Sequence, residues 1–365
     1  VATLQDDGIK GVGVAGATSG TAKTYTPDLD LPSSDGLNTG YQPMIVSFPS
    51  AWNGYRYWMA FMTHYQERYP TYPEILVSND LKDWDVPPGL TNPVTSSADI
   101  YDVGLMLGND NKLYLTYHYA PGGGISTIQM QTSSDGITWS SAVDVMSDWS
   151  DKANLRAPYF IWDADLNKYR VWYVVTGPNP TPNTLWTRTA DTMTGTWSSP
   201  TQCTQNGLYY TGTGGANYAN PWNITVLKVN GGFLGWHYNP DPNGTGGDSG
   251  GGVQLAWSLD GITWTLNPSL ALIADVNNLV YTAANWGYIP QVGTLVPISQ
   301  NQYWIIYGSA GAGVTQGTPS HYDVPMTIGR AMVYLTPRSP VVDTLGIGTT
   351  FYAYNTGTDK LRVDG

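Results

Sequence analysis

Glutamate is nearly missing from this sequence. Of the 28 acidic residues in 365, only Glu67 and Glu74 are glutamate, so any chemistry that needs one has two places to find it. Cysteine is scarcer still. Cys203 stands alone, which excludes an intrachain disulfide framework and cysteine-based zinc clusters and makes it a spectator. Only 12% of residues are charged, about half the usual share. The 16 Lys and Arg are dispersed against a net charge of −12, which excludes a basic face for nucleic acid. No apolar run approaches the roughly 18 residues of a membrane span. The opening "VATLQDDGIK" has neither a basic start nor an apolar block, so no signal peptide is read there. The Gly-rich "NGTGGDSGGG" (Asn243 to Gly252) lacks the Lys-Ser/Thr and helix of a phosphate loop. No long stretch repeats at 3.6 residues, so long helices are not expected.

The chain instead holds 15 Trp, 26 Tyr, 42 Gly and 25 Pro. Abundant Trp and Tyr with frequent turn residues predict an all-β protein of short strands. The phrase "SSDGITW" (Ser133 to Trp139) returns as "SLDGITW" (Ser258 to Trp264), with "SNDLKDW" ending at Trp84 and "ADTMTGTW" at Trp197 as variants. Each follows a strand, a polar hairpin and a Tyr/Trp-rich strand. Five such units start at Tyr41, Tyr101, Ala157, Asn220 and Tyr288. The last ends in "IGRAMVYLTPRSP" (Ile328 to Pro340) without the Asp turn, as terminal repeats often do. The expected fold is a five-bladed β-propeller over residues 36–340. Residues 1–35 read as an extended N-terminal arm, a candidate for the strand that closes the ring. Residues 341–365 read as a small C-terminal β-hairpin around "NTGTD" (Asn355 to Asp359). In the repeated phrase, Asp135 and Asp260 can accept backbone N–H bonds and Gly136 and Gly261 allow a positive φ, so a structural turn accounts for it.

Other motifs are weaker. "DADLNK" (Asp163 to Lys168) has the first spacings of a calcium loop but no Gly at its sixth place and no Glu at its twelfth, and reads as a hairpin turn. His64, His118 and His237 end second strands of their units. They are candidate metal ligands, set against the plainer reading of rim histidines too far apart to share an ion.

Two resemblances follow from these motifs. The "SNDLKDW" and "SSDGITW" turns and the blade rhythm resemble the five-bladed furanosidase and arabinanase propellers of glycoside hydrolase family 43 and its relatives. That resemblance implies a base Asp, a second Asp that tunes pKa, and an acid Glu on the inner strands of the first three blades. Here "YQPMI" puts Gln42 at the base, "DIYDVG" puts Asp102 at the second place, and "LRAPYF" puts Arg156 at the acid. Neither Gln42 nor Arg156 can exchange a proton at ordinary pH, whereas glycoside hydrolysis needs a carboxyl pair. The resemblance also implies a calcium or sodium ion in the central channel; no other cofactor is expected. Separately, "YNTGTDKLRVDG" (Tyr354 to Gly365) resembles a hairpin common in phage fibre and tail proteins. It implies a virion-surface protein that joins other virion proteins, plausible as a trimer.

The reading that joins these is a phage tail or fibre receptor-binding protein whose propeller recognises a host cell-surface polysaccharide without family-type hydrolysis. Gln42, Asp102, Arg156, Trp222 and Tyr288, with Trp286 beside the last, are the expected ligand-binding residues, taken as equivalent inner-strand starts. Two alternatives stay open. One is an active hydrolase or depolymerase with relocated carboxylates, for which Asp102, Asp99 and Glu67 are the candidates. The other is a structural module decorating a capsid or fibre. Neither nucleic acid nor membrane insertion is expected.

Overall fold

The computed structural model describes residues 2–5, 29, 31–34, 36, 40–63, 71–97, 100–120, 127–146, 149, 155–176, 183–206, 221–229, 232–239, 252–266, 272–273, 290–299, 302–310, 326–334, 352–355 and 360–364. Among them there is no helix. Candidates Glu67, Asp99, His64, Trp286 and Tyr288 lie outside the described residues.

The strands form five sheets. The first holds β2 (Tyr41–Trp52), β3 (Tyr55–Met62) and β4 (Pro73–Ser78). The second holds β5 (Ile100–Leu107), β6 (Leu113–Tyr119), β7 (Thr127–Ser133) and β8 (Val143–Asp144). The third holds β9 (Leu155–Asp163), β10 (Lys168–Val175), β11 (Thr184–Ala190) and β12 (Thr201–Gln202). The fourth holds β14 (Asn223–Val229), β15 (Gly232–Asn239), β16 (Gly252–Ser258) and β17 (Thr263–Leu266), with β13 (Thr204–Asn206) parallel to β17 and β18 (Leu272–Ile273) on β16. The fifth holds β19 (Pro290–Ser299), β20 (Gln302–Ala310) and β21 (Met326–Tyr334). Within each sheet the consecutive long strands pair antiparallel, as hairpin-linked strands do.

The first strands touch in a closed ring: β2 against β5, β5 against β9, β9 against β14, β14 against β19, and β19 against β2. This arrangement is a β-propeller. β1 (Ala2–Gln5) completes the fifth sheet, pairing antiparallel with β21 on one side and with β23 (Lys360–Asp364) on the other. β23 in turn pairs with β22 (Tyr352–Asn355). The N-terminal strand thus sits between the last long strand and the C-terminal hairpin.

Aromatic and aliphatic side chains fill the gaps between sheets. Met44, Trp58, Ala60, Val103 and Leu115 pack between the first and second. Trp149, Phe160, Tyr173 and Trp197 pack between the second and third. Trp172, Phe233 and Trp264 pack between the third and fourth. Leu29 and Leu31 fill the gap between the fifth and first sheets with Phe61, Trp304 and Ile328. Burial of apolar surface stabilises at about 25 cal/mol per Å², and these layers hold most of the largest fully buried side chains among the described residues.

The repeated phrase fits this packing. In "SSDGITW", the Gly136 N–H donates to Ser133 Oγ (2.7 Å), and the N–H groups of Ile137 and Thr138 donate to Asp135 Oδ1 (2.8 and 2.7 Å). In "SLDGITW", Gly261, Ile262 and Thr263 repeat these bonds to Ser258 and Asp260 (2.8, 2.8 and 2.7 Å). The Thr138 N–H above all, with the Ile137 N–H and the Ser133 hydroxyl, holds the Asp135 carboxyl down to about 2. Each turn glycine lies against the preceding sheet, Gly136 on Trp58 and Gly261 on Arg170 and Trp172. The indole Trp172 Nε1 donates to the Gly261 carbonyl at 2.7 Å. The phrase recurs because the turn caps its own backbone and docks on the sheet before it.

Polar links also run between the sheets. Thr225 Oγ1 donates to Gly293 O (2.6 Å), and Thr294 Oγ1 donates to Pro43 O (2.9 Å) while accepting from Ile45 N (3.2 Å). "DADLNK" is a hairpin turn between β9 and β10. Its buried Asp163 pairs with Arg170 (3.2 Å) and Lys228 (3.6 Å), and Asp165 pairs with Lys228 (2.6 Å). Glu74 is fully buried on β4 and accepts from the Ser34 N–H (3.1 and 3.0 Å) and the Ser34 hydroxyl. One of the two glutamates thus ties down the segment between the fifth and first sheets.

Candidate functional site

Near the start of each first strand in sheets one, two and three, one extra residue interrupts the ladder. The shift falls between Tyr41 and Met44, between Tyr101 and Gly104, and between Arg156 and Tyr159. Such bulges turn side chains out of the regular alternation. Gln42, Asp102 and Ala157 take the left-handed backbone there, with φ of 52°, 51° and 48°. None is glycine, and non-glycine residues at such φ values concentrate at functional sites.

This register corrects the expected equivalence. Gln42 and Asp102 are counterparts, but Ala157 is their counterpart in the third sheet. Arg156 sits one place earlier, in the register of Tyr41 and Tyr101. In the fourth sheet the ladder runs unbroken from Asn223, and Trp222 precedes the strand.

The bulges bring Gln42, Asp102 and Ala157 together. Gln42 Nε2 donates to Asp102 Oδ1 at 3.0 Å, and the Ala157 N–H donates to Asp102 Oδ2 at 2.8 Å. A carboxylate can only accept, so the Gln42 amide presents nitrogen to it. One carboxylate therefore links three sheets. His118, on the strand paired with Asp102's own, places Nδ1 3.8 Å from Asp102 Oδ2, too far for a hydrogen bond. Burial lowers the affinity of His118 for a proton, Asp102 raises it, and the Arg156 cation lowers it again; the net direction is down. His118 is neutral at neutral pH. Gln42 Oε1 and His118 Nε2 are buried and have no hydrogen-bond partner among the described residues.

Arg156 is half-buried and spends one N–H on its own strand, Nη1 to Leu155 O at 2.7 Å. Trp222 immediately precedes the neighbouring strand β14 and is 41% exposed; every other described tryptophan is buried or half-buried. Asn183 Nδ2 donates to Pro221 O (3.2 Å), fixing the backbone just before it.

His237 does not join this group. It lies against Trp264 (ring centroids 5.5 Å apart), and Gln205 Nε2 lies 3.3 Å from its Nδ1. Burial pushes its pKa down to about 3. His118 pairs with Tyr101 and His237 with Ile224, so the two are not equivalent strand ends. No three of His, Cys, Asp and Glu gather into a metal-holding group among the described residues. Cys203 is buried, its pKa pushed up to about 12 chiefly by desolvation, so it is no nucleophile.

No family profile and no curated protein matches the chain by sequence. Solved structures match its fold. An N-acetylgalactosamine deacetylase from F. plautii, solved with blood group B trisaccharide, is 18% identical over 90% of this chain and 95% of its own, with a TM-score of 0.66. A thermostable family-43 glycoside hydrolase is 15% identical over 92% and 96%, with a TM-score of 0.55. The catalytic domain of the GH62 α-L-arabinofuranosidase of Coprinopsis cinerea is 11% identical over 85% and 95%, with a TM-score of 0.56. At such identities the likeness is one of fold: the chain shares the β-propeller architecture of these structures.

Proposed function

We propose that this chain is a five-bladed propeller, each sheet one blade, that recognises a cell-surface polysaccharide without hydrolysing it. The carrying observation is the state of Asp102. It is the one carboxylate among the described residues at the bulges of the inner strands, and both its oxygens are engaged, by Gln42 and by Ala157. Glycoside hydrolysis takes two carboxyl groups about 5 to 10 Å apart. Here the described side chains beside Asp102 are the Gln42 amide at 3.0 Å and the neutral His118 imidazole at 3.8 Å, and neither is a carboxyl. The fold neighbours that act on sugars, and one solved with a trisaccharide, support a glycan as the ligand. The fibre-like hairpin motif supports a phage tail or fibre protein on the virion surface, bound to other virion proteins and assembled as a trimer, with a host-surface polysaccharide as its receptor.

A second reading is favoured by the strained backbone at Asp102. A hydrolase would pair Asp102 with a carboxyl from Asp99 or Glu67. One experiment separates the two: purified protein is mixed with candidate polysaccharides, and binding and new reducing ends are followed together. Saturable binding with a flat reducing-end signal is expected. Steady release of oligosaccharide, lost in Asp102→Asn, would establish the hydrolase instead.

A further inference from the structure

A cation and an exposed aromatic stand near the starts of two adjacent inner strands. Arg156 opens β9 and Trp222 precedes β14, two inner strands in contact. No described carboxylate lies within 4.0 Å of the Arg156 guanidinium, although ion pairs occupy Arg170, Lys112, Lys168 and Lys228. Asp102 and Arg156 both act on His118, yet the Asp102 carboxylate is held by Gln42 and Ala157. Arg156 has five N–H donors and commits one to Leu155. A half-buried guanidinium with spare donors, in a chain of net charge −12, marks a place where a negative group of the ligand is expected. Gln42 and His118, 3% and 4% exposed, each hold one polar atom with no partner among the described residues, and His118 feels the Arg156 charge. A sugar presents such groups in the required order: hydroxyls for the buried polar atoms, a carboxylate for the fork of Arg156, and an apolar ring face for an indole.

We infer that Arg156 and Trp222 together bind an acidic sugar, a uronate or other carboxylate-bearing residue of a polysaccharide, with its carboxylate on Arg156 and a ring face on Trp222. The inference rests on the glycan-binding reading and narrows it to anionic polymers. Nothing in the long-range field favours this, since the chain is net negative; the specificity is local, within the roughly 8 Å over which charges act at physiological salt.

The test is a binding panel of polygalacturonate, alginate and hyaluronan beside neutral arabinan, xylan and galactan. Polygalacturonate is also offered after its carboxylates are reduced to alcohols. The expected result is binding to at least one acidic polymer and, when that polymer is polygalacturonate, loss of at least about tenfold in affinity on carboxyl reduction. Arg156→Gln loses a similar factor, Arg156→Lys loses less, and Trp222→Ala loses about five- to twentyfold. Unchanged melting temperatures show that the variants fold. Binding to neutral polymers alone would overturn the inference and leave the glycan reading standing. So would binding to an acidic polymer that Arg156→Gln does not weaken. No binding to any polymer would count against the glycan reading itself, and against this inference with it.

Discussion

Asp102 Oδ2 lies 2.8 Å from the backbone nitrogen of Ala157, which donates to it across the gap between the second and third sheets. Because Oδ1 takes the Gln42 amide from the first sheet, removing the carboxylate strands two buried donors. Each stranded donor costs about 1–3 kcal/mol. Asp102→Ala is expected to lose about 2–4 kcal/mol in urea unfolding. Asp102→Asn should lose less than about 1 kcal/mol, since Gln42 can flip its amide and accept from the new Asn nitrogen while the Asn oxygen keeps the Ala157 bond. A large loss in Asp102→Asn would mean that the negative charge itself is needed there.

Gly136 is at φ 76° and faces Trp58, so that an added Cβ would overlap the indole ring. The backbone conformation alone is not prohibitive, because Leu81 takes φ 64° in the corresponding turn of the first sheet. The bar at Gly136 is the neighbouring sheet. Gly136→Ala is expected to cost about 2–4 kcal/mol, from overpacking and strained φ together. Gly261→Ala should behave likewise, its Cβ meeting Arg170 and lying 2.9 Å from Trp172 Cζ2. Thermal unfolding checks both, and a change below about 1 kcal/mol at Gly136 would show that the turn does not dock on Trp58.

The architecture was legible because the second and fourth units spend the same turn residues on the same contacts. Turn aspartates and glycines, and the aromatic second strands, mark positions that packing reuses in unit after unit. The candidate site was harder. Aligned by their prolines, "YQPMI" and "LRAPYF" already set Ala157 against Gln42, and the strand register agrees; the pairing with Arg156 comes from looking for an ionisable side chain at that place. Trp222 was found as an aromatic near a strand start, although it sits one residue before the strand. His118 and His237 look alike in "TYHYA" and "GWHYN", yet one sits beside Asp102 and the other against Trp264. The Ser34–Glu74 and Asp163–Lys228 contacts had no sequence signal, since their partners are far apart in the chain and share no motif.

Burial holds His237 down to about 3, against an ordinary value near 6.5. The unfolded chain takes up this proton as pH falls below about 6.5, while the folded chain stays neutral until about 3. Between those values the unfolded state binds more protons, so stability falls with falling pH, by up to about 1.4 kcal/mol per pH unit from this group. His118 acts in the same direction. His237→Gln removes its share, so its stability should fall less steeply than wild type from pH 6.5 to 4.5, by at least about 1 kcal/mol over the interval. Parallel curves in urea unfolding would show that His237 reaches solvent.

The C-terminal hairpin meets the fifth sheet through one strand. β23 pairs with β1 and with β22, and β1 alone among these pairs with β21. Leu4 is opposite Val333 on one side and Leu361 on the other. Leu4→Pro removes a backbone donor from the middle of the sheet, where proline is poorly tolerated. The long strands of sheets one to four do not depend on that donor. Hydrogen exchange should therefore speed up at Lys360–Asp364 and at Met332–Tyr334 in this variant, with little change at Tyr55–Met62 or Lys168–Val175. Unchanged protection of Lys360–Asp364 would mean that the hairpin is held by contacts other than β1. Loss of protection everywhere would mean that this short strand closes the whole ring, so that the propeller and its terminal hairpin fold as one cooperative unit.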